Sequence, residues 1–183
     1  MESIEHVSCR GRDYSLQPGV FYHLADEILL WNVRLHEGLC PSVSVLNEAE
    51  AEHGFVTMYG AFRGQSAKER LWESIREADF PEVPTRQNGF FLFESGQAVQ
   101  TAREEWFPHD PRPVVEVRIV TGSVVHRADA RWLDAVQADW NEASRRYWTG
   151  DMTDDPRVEI ILKGLVYFPG WREHPFGQPL PRL

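Results

Sequence analysis

The chain has 183 residues, 42% of them hydrophobic and 26% charged, an ordinary composition for one globular domain with a full core. With 28 acidic against 19 basic side chains its formal charge is −9, a field that repels nucleic acid at long range, so a stably held nucleic-acid partner would need a local basic patch. No apolar run approaches bilayer-spanning length and Met1-Glu2-Ser3-Ile4-Glu5 has neither the basic nor the apolar region of a leader, so the expected setting is cytoplasmic, without a membrane partner and with Cys9 and Cys40 as separate reduced thiols.

Alternation over Ile4–Ser8 predicts a short first strand with Ile4, His6 and Ser8 on one face, and a loop follows to Leu16-Gln17-Pro18-Gly19. From about Tyr22 to Glu37 the apolar positions Leu24, Ile28, Trp31 and Leu35 recur at helical spacing, with Gly38 as the stop. Asn47 is placed to cap a short acidic helix over Glu48–His53 that Gly54 ends. Ser66-Ala67-Lys68-Glu69 has capping-box spacing and opens a helix with Leu71, Trp72 and Ile75 as its buried stripe, terminated by Pro81 and Pro84. The turn-rich Thr85–Gly89 leads into a strand over Phe90–Phe93, and Ser95 caps a helix carrying Ala98, Ala102 and Trp106 on one side.

Val114–Val120 is the clearest strand, which Ser123-Val124-Val125 continues or pairs with across Thr121-Gly122. A helix is predicted over Asp129–Tyr147 with Trp132, Val136, Trp140 and Ala143 inward. Val158–Leu162 and Leu165–Phe168 are expected as a hairpin joined by Lys163-Gly164, and the Pro/Gly-rich stretch 169–183 as a peripheral tail packed over the surface or partly disordered. Strands at the beginning, middle and end with helices between them fit an α+β fold in a single domain over 1–183.

Several site types lack their parts. There is no glycine-rich phosphate loop, no Cys-x-x-Cys and no His-Glu-x-x-His, and the seven histidines never fall four apart on a predicted helix, so no metal site is expected. Glu159 stands out because it interrupts the apolar run Val158-Glu159-Ile160-Ile161-Leu162. A carboxylate there must face solvent, find partners or line a cleft, since burying it unpaired costs several kcal/mol. An isolated strand glutamate is most often an edge charge that deters sheet-to-sheet pairing.

His6-Val7-Ser8 with Leu16–Gly19 downstream, Arg86-Gln87-Asn88-Gly89-Phe90-Phe91-Leu92-Phe93-Glu94-Ser95, Val114–Val120, and Val158–Gly164 follow one another in an order that resembles the ADP-ribosyltransferase fold. The branch most resembled is the diphtheria-toxin-like His-Tyr-Glu one, in its small bacterial toxin-type members. The resemblance implies a split β-sheet core with flanking helices, NAD as co-substrate, and a glycosyltransferase that acts as a toxin or phage-defence effector. By the same resemblance Glu159 and His6 are catalytic, with Glu159 stabilising the oxocarbenium-like state. His6 and Ser8 would hold the ribose side of NAD, and Arg86 has the bidentate geometry that suits a pyrophosphate. The nicotinamide clamp is left open among Phe90, Phe93, Tyr147 and Trp148.

Arg157 stands two residues before Glu159, where arginine-modifying members carry Glu or Gln, so arginine is disfavoured as acceptor. A Ser-Thr-Ser motif and a central tyrosine pair are absent too. A macromolecular acceptor is implied, nucleic acid slightly ahead of protein, with Lys68, Arg70 and Arg76 as a possible contact patch and a neutralising antitoxin or immunity protein as a further partner. Two other readings compete: a non-catalytic acidic interaction protein of antitoxin or immunity type, and a degenerate module that binds NAD or ADP-ribose without turnover.

Overall fold

A computed structural model describes residues 5–49, 57, 60–61, 64, 66–106 and 112–173. Helices and antiparallel sheets are mixed, so the chain is an α+β protein. It forms two compact units, and each is assembled from separate stretches: residues 1–41, 93–123 and 165–183 in the first, and 42–92 and 124–164 in the second.

The first unit opens with a two-stranded ladder of β1 (His6–Cys9) and β2 (Arg12–Ser15), which pairs His6 with Ser15 and Cys9 with Arg12. A strand therefore occupies the predicted loop, and Arg10 and Gly11, both at positive φ, make the reversal. Its four-stranded sheet runs in the order β3 (Phe21–Leu24), β6 (Val114–Ile119), β9 (Leu165–Tyr167), β4 (Leu39–Pro41), all antiparallel. The helix predicted from Tyr22 is thus a strand first: Phe21–Leu24 pairs with Val114–Val117. Helix α1 (Glu27–Leu35) begins only where the Asp26 carboxylate accepts from the Leu29 backbone N–H.

Helix α1 ends as the sequence says, with Gly38 at φ +94° and its N–H bonded to the Val33 carbonyl. A side chain at Gly38 would meet Trp171 at 2.5 Å and Tyr167 at 2.6 Å, so both the conformation and the space require glycine. The expected inward face is inverted, however. Only Val33 is buried, whereas Ile28, Trp31 and Leu35 are 76%, 60% and 67% exposed, and Leu24 is buried as part of β3. Ser95 caps α4 (Gly96–Trp106) through the Ala98 N–H, and Val99 and Ala102 pack with Leu24 and Phe93. Cys9 and Cys40 are separate buried thiols, and burial pushes the Cys40 thiol up to about 12.

The second unit is built on a three-stranded antiparallel sheet with β8 (Val158–Lys163) between β5 (Phe90–Leu92) and β7 (Val124–Asp129). Two expectations fail here. Val124–Val125 does not continue or pair with β6; it opens β7, whose partner is β8. Nor do β8 and β9 form a hairpin, because Gly164 at φ +148° redirects the chain and the two strands join different sheets.

Helix α3 (Ala67–Asp79) starts at Ser66, whose hydroxyl accepts from the Glu69 N–H, and buries Trp72 and Ile75 as its spacing predicts. The short helix α2 (Val43–Ala49) begins four residues before Asn47, so Asn47 is interior rather than capping; the rest of the acidic helix predicted to Gly54 lies outside the described residues. The long helix expected over Asp129–Tyr147 is in fact the end of β7, two short 3₁₀ segments (Ala130–Asp134 and Gln137–Asp139) and α5 (Trp140–Thr149). Val136 is consequently 67% exposed, while Ala143, Tyr147 and Trp148 of α5 pack with Trp72, Ile75, Ala128 and Ile161. Among the described residues no helix is long and apolar enough to cross a membrane.

Asp129 fixes the polar segment that precedes β8. Its Oδ1 accepts from the Arg131 and Arg157 N–H groups, each at 2.9 Å, and its Oδ2 accepts from the Thr153 N–H at 2.9 Å and the Thr153 hydroxyl at 2.6 Å. Burial pushes its pKa up, but these four donors outweigh burial and leave it below the ordinary carboxylate value. A depressed folded-state pKa contributes stability that is complete above about pH 4 and lost as pH falls through the folded value. Asp129→Asn turns an amide NH2 toward one pair of donors. The expected loss is about 1.5–3 kcal/mol by chemical denaturation at pH 7, with the gap to the parent closing below about pH 4; a gap independent of pH would contradict the assignment.

Candidate functional site

Glu159 is on the central strand of the second unit's sheet, not at an edge, and is 5% exposed. Strand alternation puts it on the same face as Ile161, which belongs to the core cluster with Trp72, Tyr147 and Trp148. A charge delivered to that face needs partners, and three elements supply them. Arg86, in the turn before β5, is 4% exposed and donates through Nη1 to Glu159 Oε1 and, at 2.5 Å, to the Tyr147 hydroxyl. Tyr147 on α5 is fully buried and donates its O–H to the same Glu159 oxygen at 2.6 Å. Glu69 on α3, 6% exposed, has Oε2 at 3.5 Å from Arg86 Nε.

The group holds two carboxylates, one guanidinium and one phenol, stacked in part: Arg86 Cζ is 5.4 Å from the Phe91 ring centroid and 5.2 Å from that of Tyr147. Burial, countered in part by Arg86 and reinforced by Glu159, holds the Tyr147 phenol well above its ordinary pKa, so it stays a hydrogen-bond donor to Glu159. His126 on β7 borders the group, its Nε2 at 3.1 Å from the Tyr147 carbonyl and its ring 5.7 Å from Trp148. Burial lowers the His126 pKa, while the Tyr147 carbonyl and Glu159 act in the opposite direction. The arrangement offers a carboxylate fixed in direction by an O–H and a guanidinium, in surroundings where water cannot screen it.

Of the residues singled out in the sequence, Arg86, Tyr147 and Glu159 are brought into direct contact. Trp148 lies beside them, but its indole N–H donates to the Trp72 carbonyl at 2.9 Å and its ring is 1% exposed, a packing role. Phe90 is on β5, partly exposed and paired with Leu162. Phe93 is 5% exposed among Leu24, Val99 and Ala102 of the first unit. His6 and Ser8 are exposed on β1, also in the first unit, where His6 Nδ1 is 3.1 Å from the Ser15 hydroxyl.

Glu69 and His126 escaped sequence reasoning. Glu69 carried a signal: it lies one turn before Trp72 on the buried stripe of α3, a position a purely capping glutamate does not need. His126 carried none, because it follows two exposed valines at a strand start.

An α+β protein with a buried carboxylate, guanidinium and phenol on one sheet face is the class that fold and site define. Residues 31–168 match the model of the family described as "Protein of unknown function (DUF2441)", and the chain belongs to that family. The matched span contains Glu69, Arg86, His126, Tyr147 and Glu159 and begins after His6 and Ser8. No curated protein matches the chain.

Proposed function

We propose that the protein is an NAD-dependent ADP-ribosyltransferase of toxin or phage-defence type, which transfers ADP-ribose to a macromolecule, nucleic acid ahead of protein. The observation that carries the reading is the Glu159 carboxylate on a central strand, oriented by the Tyr147 hydroxyl and the Arg86 guanidinium. Breaking the nicotinamide–ribose bond builds positive charge on the sugar, and a pre-aimed carboxylate stabilises that charge while accepting a hydrogen bond from the neighbouring hydroxyl. NAD enters as co-substrate: nicotinamide leaves with the bonding electron pair and the acceptor takes its place on the ribose carbon. Arg86 is paired with Glu159, and its planar fork suits an anionic oxygen of the dinucleotide as well as a carboxylate.

The test is incubation with labelled NAD and cell extract, comparing the parent with Glu159→Gln; equal labelling by the two ends the proposal. Nuclease digestion of the labelled product then separates a nucleic-acid acceptor from a protein. His6→Ala accompanies it, since an exposed side chain can be removed without disturbing the fold, and unchanged turnover would take His6 out of the reaction.

A non-catalytic reading draws on a specific observation as well: Glu159 is already neutralised by Arg86, as in a purely structural buried ion pair. Under that reading the protein, with its net charge of −9, binds a basic partner, or holds NAD or ADP-ribose without turnover. Absence of a thermal shift with NAD, together with co-purification of a basic protein, would favour the interaction protein; a shift without nicotinamide release would favour the binding module.

A further inference from the structure

Arg86 and Glu159 pair through one oxygen only. A guanidinium and a carboxylate that meet without interference form two parallel N–H···O bonds, one to each oxygen. Here Arg86 reaches Glu159 through Nη1 alone, and both that bond and the one from the Tyr147 hydroxyl end on Oε1. Among the described residues no donor addresses Glu159 Oε2. Leaving one oxygen of a buried carboxylate without a donor is costly, so a competing force must keep Arg86 from turning onto it. Glu69 supplies that force. Its own buried carboxylate has Oε2 3.5 Å from Arg86 Nε, so the two acids draw on different nitrogens of one cation. Phe91 and Tyr147 pack their rings against the same guanidinium and restrict its tilt, and the charge on Glu69 opposes the sideways shift that remains.

We infer that Glu69 is a positioning residue: by holding the Nε edge of Arg86 it keeps Glu159 Oε2 open for a ribose hydroxyl of the substrate, an inference that rests on the reaction proposed above. The division of labour follows from the geometry. Oε1 is anchored by the Tyr147 hydroxyl and Arg86 and sets the direction of the carboxylate, while Oε2 keeps its acceptor capacity for the sugar. Without the Glu69 charge the guanidinium closes on Glu159 as a two-bond pair and occupies the oxygen that the ribose needs. The expected change therefore has the opposite sign from that of a purely structural ion pair. Removing a structural partner loosens the arginine it held, whereas removing Glu69 tightens Arg86 onto Glu159.

The experiment compares the parent with Glu69→Gln, which removes the charge at nearly constant volume, and with Glu69→Asp, which keeps it. Two readouts are taken: nicotinamide release against NAD concentration, and crystal structures of parent and variants. In Glu69→Gln, Arg86 should bond both Glu159 oxygens, and kcat should fall at least about tenfold while KM changes less than about threefold. Glu69→Asp should keep the parent's single bond to Oε1 and stay within about threefold of its kcat. A Glu69→Gln structure with Arg86 still on Oε1 alone would overturn the positioning role, and so would a two-bond pair with kcat unchanged. A parent that releases no nicotinamide overturns the reaction and the use of Oε2 together, and the crystal comparison tells that failure from a failure of Glu69 to direct Arg86. Glu69→Leu, which offers no acceptor at all, gives the same two readouts should the glutamine variant not fold.

Discussion

Arg86→Met should lower the unfolding free energy by about 3–5 kcal/mol, the range for removing one partner of a buried ion pair. Methionine fills much of the arginine volume and keeps the contacts with Phe91 and Tyr147, so the loss isolates the charge. What it leaves behind is two carboxylates, Glu69 and Glu159, each at least 94% buried and deprived of the guanidinium they share. In a chain of this length the cost corresponds to a fall in Tm of about 10 °C or more, measurable by calorimetry or circular dichroism. Adding Glu159→Gln should recover part of the loss, since it removes one of the two stranded charges, and the double-mutant cycle would give a coupling of about 1–3 kcal/mol. A stability for Arg86→Met within 1 kcal/mol of the parent would mean that the cluster is open to water and its charges are screened.

On the proposed reading, Glu159→Gln should reduce ADP-ribose transfer by about a hundredfold or more, equivalent to roughly 3–4 kcal/mol of lost transition-state stabilisation. The substitution is nearly isosteric, and a glutamine oxygen still accepts from the Tyr147 hydroxyl and from Arg86, so the drop should come with little change in Tm. That pairing of results carries the argument. Loss of activity together with loss of the fold would speak only for a structural carboxylate, whereas loss of activity on an intact fold places Glu159 at the reacting ribose. Nicotinamide release measured alongside transfer shows whether the carbon–nitrogen bond still breaks.

The individual elements were easier to read than their partners. Ser66 and Ser95 cap helices, Gly38 stops one, and Phe90–Leu92, Val114–Ile119 and Val158–Lys163 are strands, all from local chemistry that acts within a few residues. Pairing depends on residues far apart and was misjudged wherever proximity in sequence stood in for it: β7 neighbours β8 instead of β6, and β8 and β9 belong to different sheets. The helical period from Leu24 to Leu35 was real over its last two turns, yet its outward face could not be known, because periodicity gives the face and not the side on which the core lies. Around Trp132 the strand and 3₁₀ segments escaped notice because widely spaced tryptophans mimic a helical stripe.

The site followed the same pattern. Glu159 announced itself by polarity in an apolar strand, and the requirement that a buried charge be paired forecast partners without naming them. Arg86 and Tyr147 stand out in the sequence as ligand contacts, and the structure joins both to Glu159. Capping-box spacing from Ser66 accounts for Glu69 on its own and so hides its second role, the ion pair with Arg86.

The order in which the strands leave the ribosome follows from the topology. The strand that bridges β5 to β7 and the strand that bridges β4 to β6 occupy residues 158–163 and 165–167, among the last of the described chain to be made. During translation neither sheet can close until residues 158–167 have been made, so the earlier strands wait with unpaired edges and depend on their helices, or on chaperones, to keep them from pairing wrongly.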